Sequence, residues 1–430
     1  MKATRIITTV FIALASLAAN AQEGAWNGEL NIMETKLPLV FNFSGDGCTM
    51  DSPSQGAKGI QAEKTIKDDG TIKVSVAMIG ATFEGKMENG EIKGTYTQNG
   101  FPIPLTLKPG KLVVKRPQTP VAPFPYKEEN ISFTNAGYTF NGTLTLPQNY
   151  SKQTPVVLMV TGSGLQNRDE ELFDHKPFAV IADALARQGI ASLRYDDRGW
   201  NDKNIDFGQF TTADFLQDAA SALPLLRKRF NKVGILGHSE GGTIAMMLAA
   251  EGKADFIVSL AGMAISGKET LVMQNRQAMS AINLPKDMVD SYCATISNIL
   301  NEIANGKKTS EITIDGVPDN LKPILKRSLE QANSPYIRHF ITIDAGKQLS
   351  KIKCPVLALN GTKDTQVDCA ANATILETGL SNCKHTIKKI DGVNHLFQHC
   401  STGSVVEYQQ IEETIAPEVL ETITKWINEL

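Results

Sequence analysis

The chain has no excess of charge of either sign: 43 Lys and Arg stand against 46 Asp and Glu over 430 residues, a formal net charge of −3. So even a balance exerts no electrostatic pull on nucleic acid or on a membrane surface, and neither partner is expected. Long apolar runs are also scarce. The conspicuous one, Ile6 to Ala19, is broken by Thr8, Thr9 and Ser16 and is too short for a membrane-spanning helix. Metal-ligand spacing is missing as well. The six cysteines, Cys48, Cys293, Cys354, Cys369, Cys383 and Cys400, form no zinc pattern, and neither a metal nor another cofactor is expected.

What the N-terminus does contain is an export signal. Lys2 and Arg5 precede the apolar run, and Ala19-Asn20-Ala21 places small residues where a signal peptidase reads them. Residues 1–21 are therefore expected to be removed after Ala21, leaving a periplasmic or secreted protein of net charge −5 and no membrane attachment. No cysteine follows the run, which argues against a lipid anchor. An oxidising compartment permits disulfides, and pairs among Cys369, Cys383 and Cys400 are expected beside the alternative of buried free thiols.

Residues 22–115 read as an all-β domain. Leu30–Ile32, Leu39–Phe43, Ile72–Val76 and Ile92–Tyr96 are short alternating runs, separated by turn signals such as Asp69-Gly70, Asn89-Gly90 and Asn99-Gly100. That pattern predicts a small barrel or sandwich. It contains no nucleophile, metal cluster or phosphate loop, so a structural role is the first expectation. Pro117, Pro120, Pro123 and Pro125 then mark residues 116–126 as a stiff, extended linker.

From residue 127 to 430 the rhythm changes to strands alternating with helices. Tyr138–Leu146 reads as an antiparallel edge strand, and Val156–Val160, Ile190–Tyr195, Val233–Leu236, Phe256–Leu260, Cys354–Leu359 and Thr386–Ile390 as strands of a mostly parallel sheet. Helices are expected over Phe178–Gln188, Thr212–Arg229, Ala370–Thr378 and Pro417–Leu430, on both faces of that sheet. Residues 265–345 interrupt the alternation with a Met-, Asn- and Lys-rich helical stretch. Inserted after a strand's carboxyl end, it predicts a cap over the ligand site.

The chemistry centres on Gly237-His238-Ser239-Glu240-Gly241. A Gly-x-Ser-x-Gly run between an apolar strand and a helix is the context of a nucleophile elbow, in which the glycines permit a tight turn that holds the Ser239 hydroxyl out. The pentapeptide alone would recur by chance in roughly one chain in five of this length, so the remaining groups must be found. A serine nucleophile needs a base, and the base needs a carboxylate. Asp364 and His395 each follow directly on a predicted strand, in the expected chain order. The competing residues rank lower. Asp368 lies deeper in its segment, His385 precedes its strand, His399 is one helical turn beyond His395, and His238 is splayed away from the site by the turn. Oxyanion donors are expected from the backbone of Glu240, at a helix start, and of Ser163 or Gly164 in the glycine-rich loop after Val160.

Residues from about 130 to 430 resemble the α/β-hydrolases, and more narrowly bacterial esterases that carry two further segments. These are Gly162-Ser163-Gly164-Leu165-Gln166-Asn167-Arg168-Asp169-Glu170 and Arg194-Tyr195-Asp196-Asp197-Arg198-Gly199. The resemblance implies Ser239 as nucleophile, Asp364 as acid, His395 as base, and Ser163 with Glu240 as oxyanion donors. One departure is visible: relatives usually continue Arg-Gly-x-Gly-x-Ser, whereas this chain reads Arg198-Gly199-Trp200-Asn201-Asp202. Asp196, Asp197 and Arg198 are expected to form a structural ion-pair knot below the site. The functional expectation is an exported serine hydrolase acting on a small-molecule carboxylic ester, with an acylated sugar among the candidates. The alternatives are a serine peptidase of the prolyl-oligopeptidase kind and a non-catalytic binding protein on a hydrolase scaffold.

Overall fold

The structure is a computed structural model that describes residues 23–430 except 33–34, 46, 56, 112–113, 203, 282–283, 315–316 and 319–320. The expected signal segment and its cleavage point after Ala21 lie outside the described residues. The chain divides into two compact units, Met1–Lys115 with Val405–Gln410, and Arg116–Ser404 with Ile411–Leu430.

The first unit is a closed barrel of eight strands in sequence order: β1 (Gly24–Ile32), β2 (Thr35–Ser44), β3 (Gly47–Ser52), β4 (Ala57–Ile66), β5 (Ile72–Val76), β6 (Ala81–Glu88), β7 (Glu91–Gln98) and β8 (Phe101–Pro109). All neighbours are antiparallel, and β1 closes on β8 through Trp26 opposite Pro109. Closure removes the unpaired edges that a flat sheet of hairpins would expose. Alternate residues point inward, and Trp26, Phe41, Met50, Phe83 and Leu107 fill the interior. Gly85 faces Gly94 across the β6–β7 pair, and a Cβ on Gly94 would stand 2.1 Å from the Glu84 carbonyl oxygen. The turn-bounded runs thus form a barrel, with Val405–Gln410 added through Gln410 Nε2, which donates to the Lys36 carbonyl at 2.7 Å.

The second unit is built on an eight-stranded mixed sheet in the order β16-β15-β14-β13-β11-β12-β10-β9. The strands are β9 (Lys127–Asn135), β10 (Tyr138–Leu146), β11 (Val156–Val160), β12 (Ala191–Tyr195), β13 (Val233–His238), β14 (Ile257–Leu260), β15 (Val356–Gly361) and β16 (His385–Ile390). From β12 to β16 every pairing is parallel, while β10 runs antiparallel to both β9 and β12. The edge assignment is therefore corrected: Tyr138–Leu146 is an interior strand, and Lys127–Asn135 lies outside it. The edge strand is hard to read because its sequence, Lys-Glu-Glu-Asn-Ile-Ser-Phe-Thr-Asn, has only two apolar residues.

Helices cover both faces of the sheet. Val157, Met159 and Leu236 pack against α1 (Pro177–Arg187) and the C-terminal Pro417–Asn428 helix. Val156, Leu158 and Ile235 pack on the other face against α2 (Thr212–Arg227), α3 (Glu240–Ala250) and Leu376 of the Cys369–Gly379 helix. The stretch at 265–345 supplies α4 (Gly267–Ala281), α5 (Lys286–Ala304), α6 (Lys322–Gln331) and α7 (Pro335–Phe340), with a small core around Tyr292, Ile296 and Leu325. The remaining helices are α8 (Cys369–Gly379) and α9 (Pro417–Asn428).

One further expectation needs correction. All six cysteines are free thiols, so none of the expected pairs is formed, and burial pushes Cys354 up to about 11. The proline-rich stretch opens the second unit at Arg116. Arg116 Nη1 donates to the Ile411 carbonyl at 2.9 Å, and Gln118 Oε1 accepts from the amides of Thr414 and Ile415, all within the second unit. Truncating the barrel's central Phe41, which is fully buried, is expected to destabilise that unit by about 3–5 kcal/mol. Denaturant unfolding of Phe41→Ala checks this, and a loss below about 1 kcal/mol would mean that the interior collapses around the deletion.

Candidate active site

The elbow follows from backbone crowding. A Cβ on Gly237 would fall 2.0 Å from the Gly241 carbonyl, and one on Gly241 would fall 2.0 Å from the Val160 carbonyl at the end of β11. Ser239 itself stands at φ 53°, ψ −119°, a conformation L residues rarely adopt, between β13 and α3. Strain of this kind persists only where the surroundings dictate it. It leaves Ser239 half-buried on the wall of a cavity of about 300 Å³, which His395 also lines.

Asp364 and His395 come together as the sequence predicts. Asp364 follows β15, and its Oδ2 accepts from His395 Nδ1 at 2.8 Å and from Asn360 Nδ2 at 3.4 Å. Its Oδ1 accepts from the amides of Gln366 and Val367, each at 2.8 Å. With donors on both oxygens this fully buried carboxylate acts as acceptor only, so the neutral His395 ring carries its proton on Nδ1 and its lone pair on Nε2. The His395 loop is itself tied by Asn394, whose Oδ1 accepts from the Leu396 and Gln398 amides. Among the described residues Ser239 Oγ and His395 Nε2 have no hydrogen-bond partner in the chain.

The rivals have other partners. Asp368 caps α8 by accepting from the Ala371 amide at 2.8 Å. His399 lies between Glu413 and Glu418, at 2.9 and 3.0 Å, and is half exposed. His385 begins β16, at the end of the sheet away from His395, and its Nδ1 meets the Cys383 carbonyl.

His238 requires a correction. It is not splayed away: its ring lines the same cavity, 4.8 Å centroid to centroid from His395. Its Nδ1 lies 3.0 Å from Glu170 Oε1 and its Nε2 lies 3.0 Å from the His395 carbonyl oxygen. The turn after β13 was expected to splay this ring away, but His238 is still the last residue of the strand and is held by its two contacts. Its partner Glu170 is 68 positions earlier, in a loop, where no periodic signal could have identified it.

Of the expected oxyanion donors, Ser163 lines the cavity and Gly164, at φ +100°, does not. Gly162 brings this loop against Ser239, since a Cβ there would lie 3.2 Å from Ser239 Cβ. Among the described residues the amides of Ser163, Gly164 and Glu240 donate to no acceptor in the chain, so all three are available to a ligand.

The Glu240 side chain has a role that sequence reasoning missed. It is buried, with Oε1 accepting from Thr212 Oγ1 and Oε2 from the Tyr336 hydroxyl of α7 at 2.7 Å. The cap is thereby joined to the residue after the nucleophile. Burial raises the Glu240 carboxyl above its ordinary 4.5, against the opposing pull of Thr212, Tyr336 and Ser163. Asp196, Asp197 and Arg198 also differ from expectation, because they diverge instead of forming one knot. Asp196 pairs with Arg168, Arg198 pairs with Asp214 and Asp218, and Asp197 accepts from Thr161 and the Gln166 amide. Among the described residues no cluster of three or more His, Cys, Asp or Glu could hold a metal ion, and no helix is long and apolar enough to cross a membrane.

The family described as serine aminopeptidase, S33, matches residues 175–297. The chain is similar to esterase EstD from Thermotoga maritima, with 26% identity over 304 residues that cover 69% of this chain and 68% of the relative. Among solved structures, Est1E from Butyrivibrio proteoclasticus aligns with a TM-score of 0.42 at 17% identity, covering 70% of this chain and 98% of its own. Proline iminopeptidase from Mycobacterium smegmatis aligns with a TM-score of 0.43 at 12% identity, over 70% and 98% of the two chains.

The Glu240 carboxyl gives a pH test. Its folded value is raised, so its contribution to stability is complete below about 4.5 and is lost as pH rises through the folded value. Unfolding of the native chain and of Glu240→Gln across that range is expected to show the native chain losing stability relative to the variant as pH rises. A difference that stays constant with pH would mean the carboxyl is not perturbed.

Proposed function

We propose that this α/β-hydrolase is an exported serine esterase in which Ser239, His395 and Asp364 act together and an acyl-enzyme forms on Ser239. The chain is a carboxylic ester hydrolase, in keeping with its similarity to an esterase over more than two thirds of its length. The observation that carries the residue roles is the His395–Asp364 pair on the wall that also bears Ser239. His395 Nε2 takes the serine proton as Oγ attacks the ester carbonyl, and the developing imidazolium is stabilised by Asp364. The oxyanion is received by the amides of Ser163 and Glu240, the latter at the positive end of α3. His395 then protonates the departing alcohol, and a water repeats the sequence to free the acid and regenerate Ser239.

The cavity favours a neutral ester. Its ionisable lining groups are Glu170, His238, His395 and Tyr336, beside Gln166, Gln274 and Gln366, and the cap contributes Leu271, Ile337 and Phe340. A carboxylate on the substrate would find no Lys or Arg there, and His238 in the lining already faces Glu170. A peptide amino terminus would find one carboxylate, Glu170, already held by Gly162 and His238. This favours an ester over the aminopeptidase reading. A small acyl ester, with an acetylated or feruloylated sugar among the candidates, fits the amide-rich lining. Export as a periplasmic or secreted protein rests on the signal-like residues 1–21.

A fluorophosphonate probe is expected to label the purified protein and to fail on Ser239→Ala, whereas labelling that survives in the variant removes Ser239 as nucleophile. Asp364→Asn is expected to lower kcat on p-nitrophenyl butyrate by about 10⁴-fold. Turnover of aminoacyl p-nitroanilides with none of p-nitrophenyl acetate or butyrate would overturn the ester assignment.

A further inference from the structure

Behind the proposed catalytic groups lies a second His–carboxylate pair. Glu170 is buried at the end of the Arg-Asp-Glu segment, with its backbone at φ 51°. Its Oε1 accepts from the Gly162 amide at 2.7 Å and lies 3.0 Å from His238 Nδ1. Its Oε2 is buried with no partner among the described residues. Among the described residues His238 is the titratable group in contact with this carboxyl.

His238 meets an acceptor on each side. Nε2 faces the His395 carbonyl, which can only accept, and Nδ1 faces the Glu170 carboxylate. With both ring nitrogens donating, the ring is an imidazolium. The groups facing this ring are Glu170 from the 161–176 loop, with His395 and Asp364 from the loops after β16 and β15. Its other neighbours, including Phe178, Ile181, Leu260 and Phe397, are apolar. Burial works against the imidazolium, but Glu170 and the His395 carbonyl outweigh it and raise His238 above its ordinary 6.5.

We propose that Glu170 and His238 are positioning residues, a buried proton-bearing pair that ties the oxyanion loop at Gly162 and the base loop at His395 to one support. The proposal rests on the esterase reading above. It makes turnover depend on a proton that takes no part in the chemistry. When His238 is deprotonated, Nε2 yields first, because Nδ1 is held by a carboxylate and Nε2 only by a carbonyl. Lone pair then faces lone pair at His395, and the base loop loses its tie. Activity therefore falls on the alkaline side, at a pH above the ordinary imidazole range.

The test is the pH dependence of kcat and KM on p-nitrophenyl butyrate for the native protein, Glu170→Gln and His238→Gln, with active sites counted by fluorophosphonate labelling. The native protein is expected to show an alkaline limb. In Glu170→Gln the limb moves to lower pH, and kcat falls about ten- to a hundredfold with KM within about twofold. In His238→Gln the side-chain amide can donate to the His395 carbonyl at any pH, so kcat is lowered but the limb disappears. A native profile without an alkaline limb overturns the proposal even if neither variant folds. So do variants whose limb coincides with the native one. Ser239→Ala separates the two readings: turnover that survives there removes the esterase mechanism itself, whereas Ser239-dependent turnover with an unmoved limb removes only the role of the pair.

Discussion

The backbone of Ser239 is held where few residues settle, and the site depends on what holds it there. Close approach of Gly241 to the Val160 carbonyl locks the turn after β13 against the end of β11. The penalty for φ 53° at Ser239 is of order 1–3 kcal/mol, small beside the burial of two fully buried adjacent strands. Because those strands are parallel neighbours, the loop after β11 must start beside the nucleophile. Gly162 and Ser163 are therefore placed by strand order, and the glycines permit the contact.

Buried charge is managed differently at each carboxyl around this turn. Asp364 has partners on both oxygens, two of them backbone amides of its own loop, which fix its orientation toward His395. Glu240 receives only hydroxyl donors, and burial moves it toward the neutral form. Glu170 has one amide and one imidazole. Three carboxyls within one small region thus differ in their donors, and the cavity lining holds no Lys or Arg.

The sequence made the parts with local signals legible. Apolar runs such as Val156–Val160 and Ile257–Leu260 became parallel strands, and Asp364 and His395, chosen for their position just after their strands, lie 2.8 Å apart. What escaped it is non-local. Lys127–Asn135 gains its strand identity from nine pairings with β10, not from its own composition. Tyr336 reaches Glu240 across 96 residues, and Glu170 reaches His238 across 68. Such contacts join residue types that are individually ordinary, a Tyr in a helix and a Glu in a loop, and only folding makes them specific. The anchoring of the proline-rich stretch is non-local too, since it uses the Arg116 and Gln118 side chains.

Two histidines 4.8 Å apart show how environment divides one chemistry into two duties. His395 meets Asp364 at Nδ1, and its Nε2 has no partner among the described residues. His238 is engaged at both nitrogens, by Glu170 and by the His395 carbonyl. Exchanging the carboxylate partners would not exchange these positions, because the second contact of His238 is the backbone carbonyl of His395 itself. The loop that carries one ring thus also holds the other, and both are fixed by a single set of contacts.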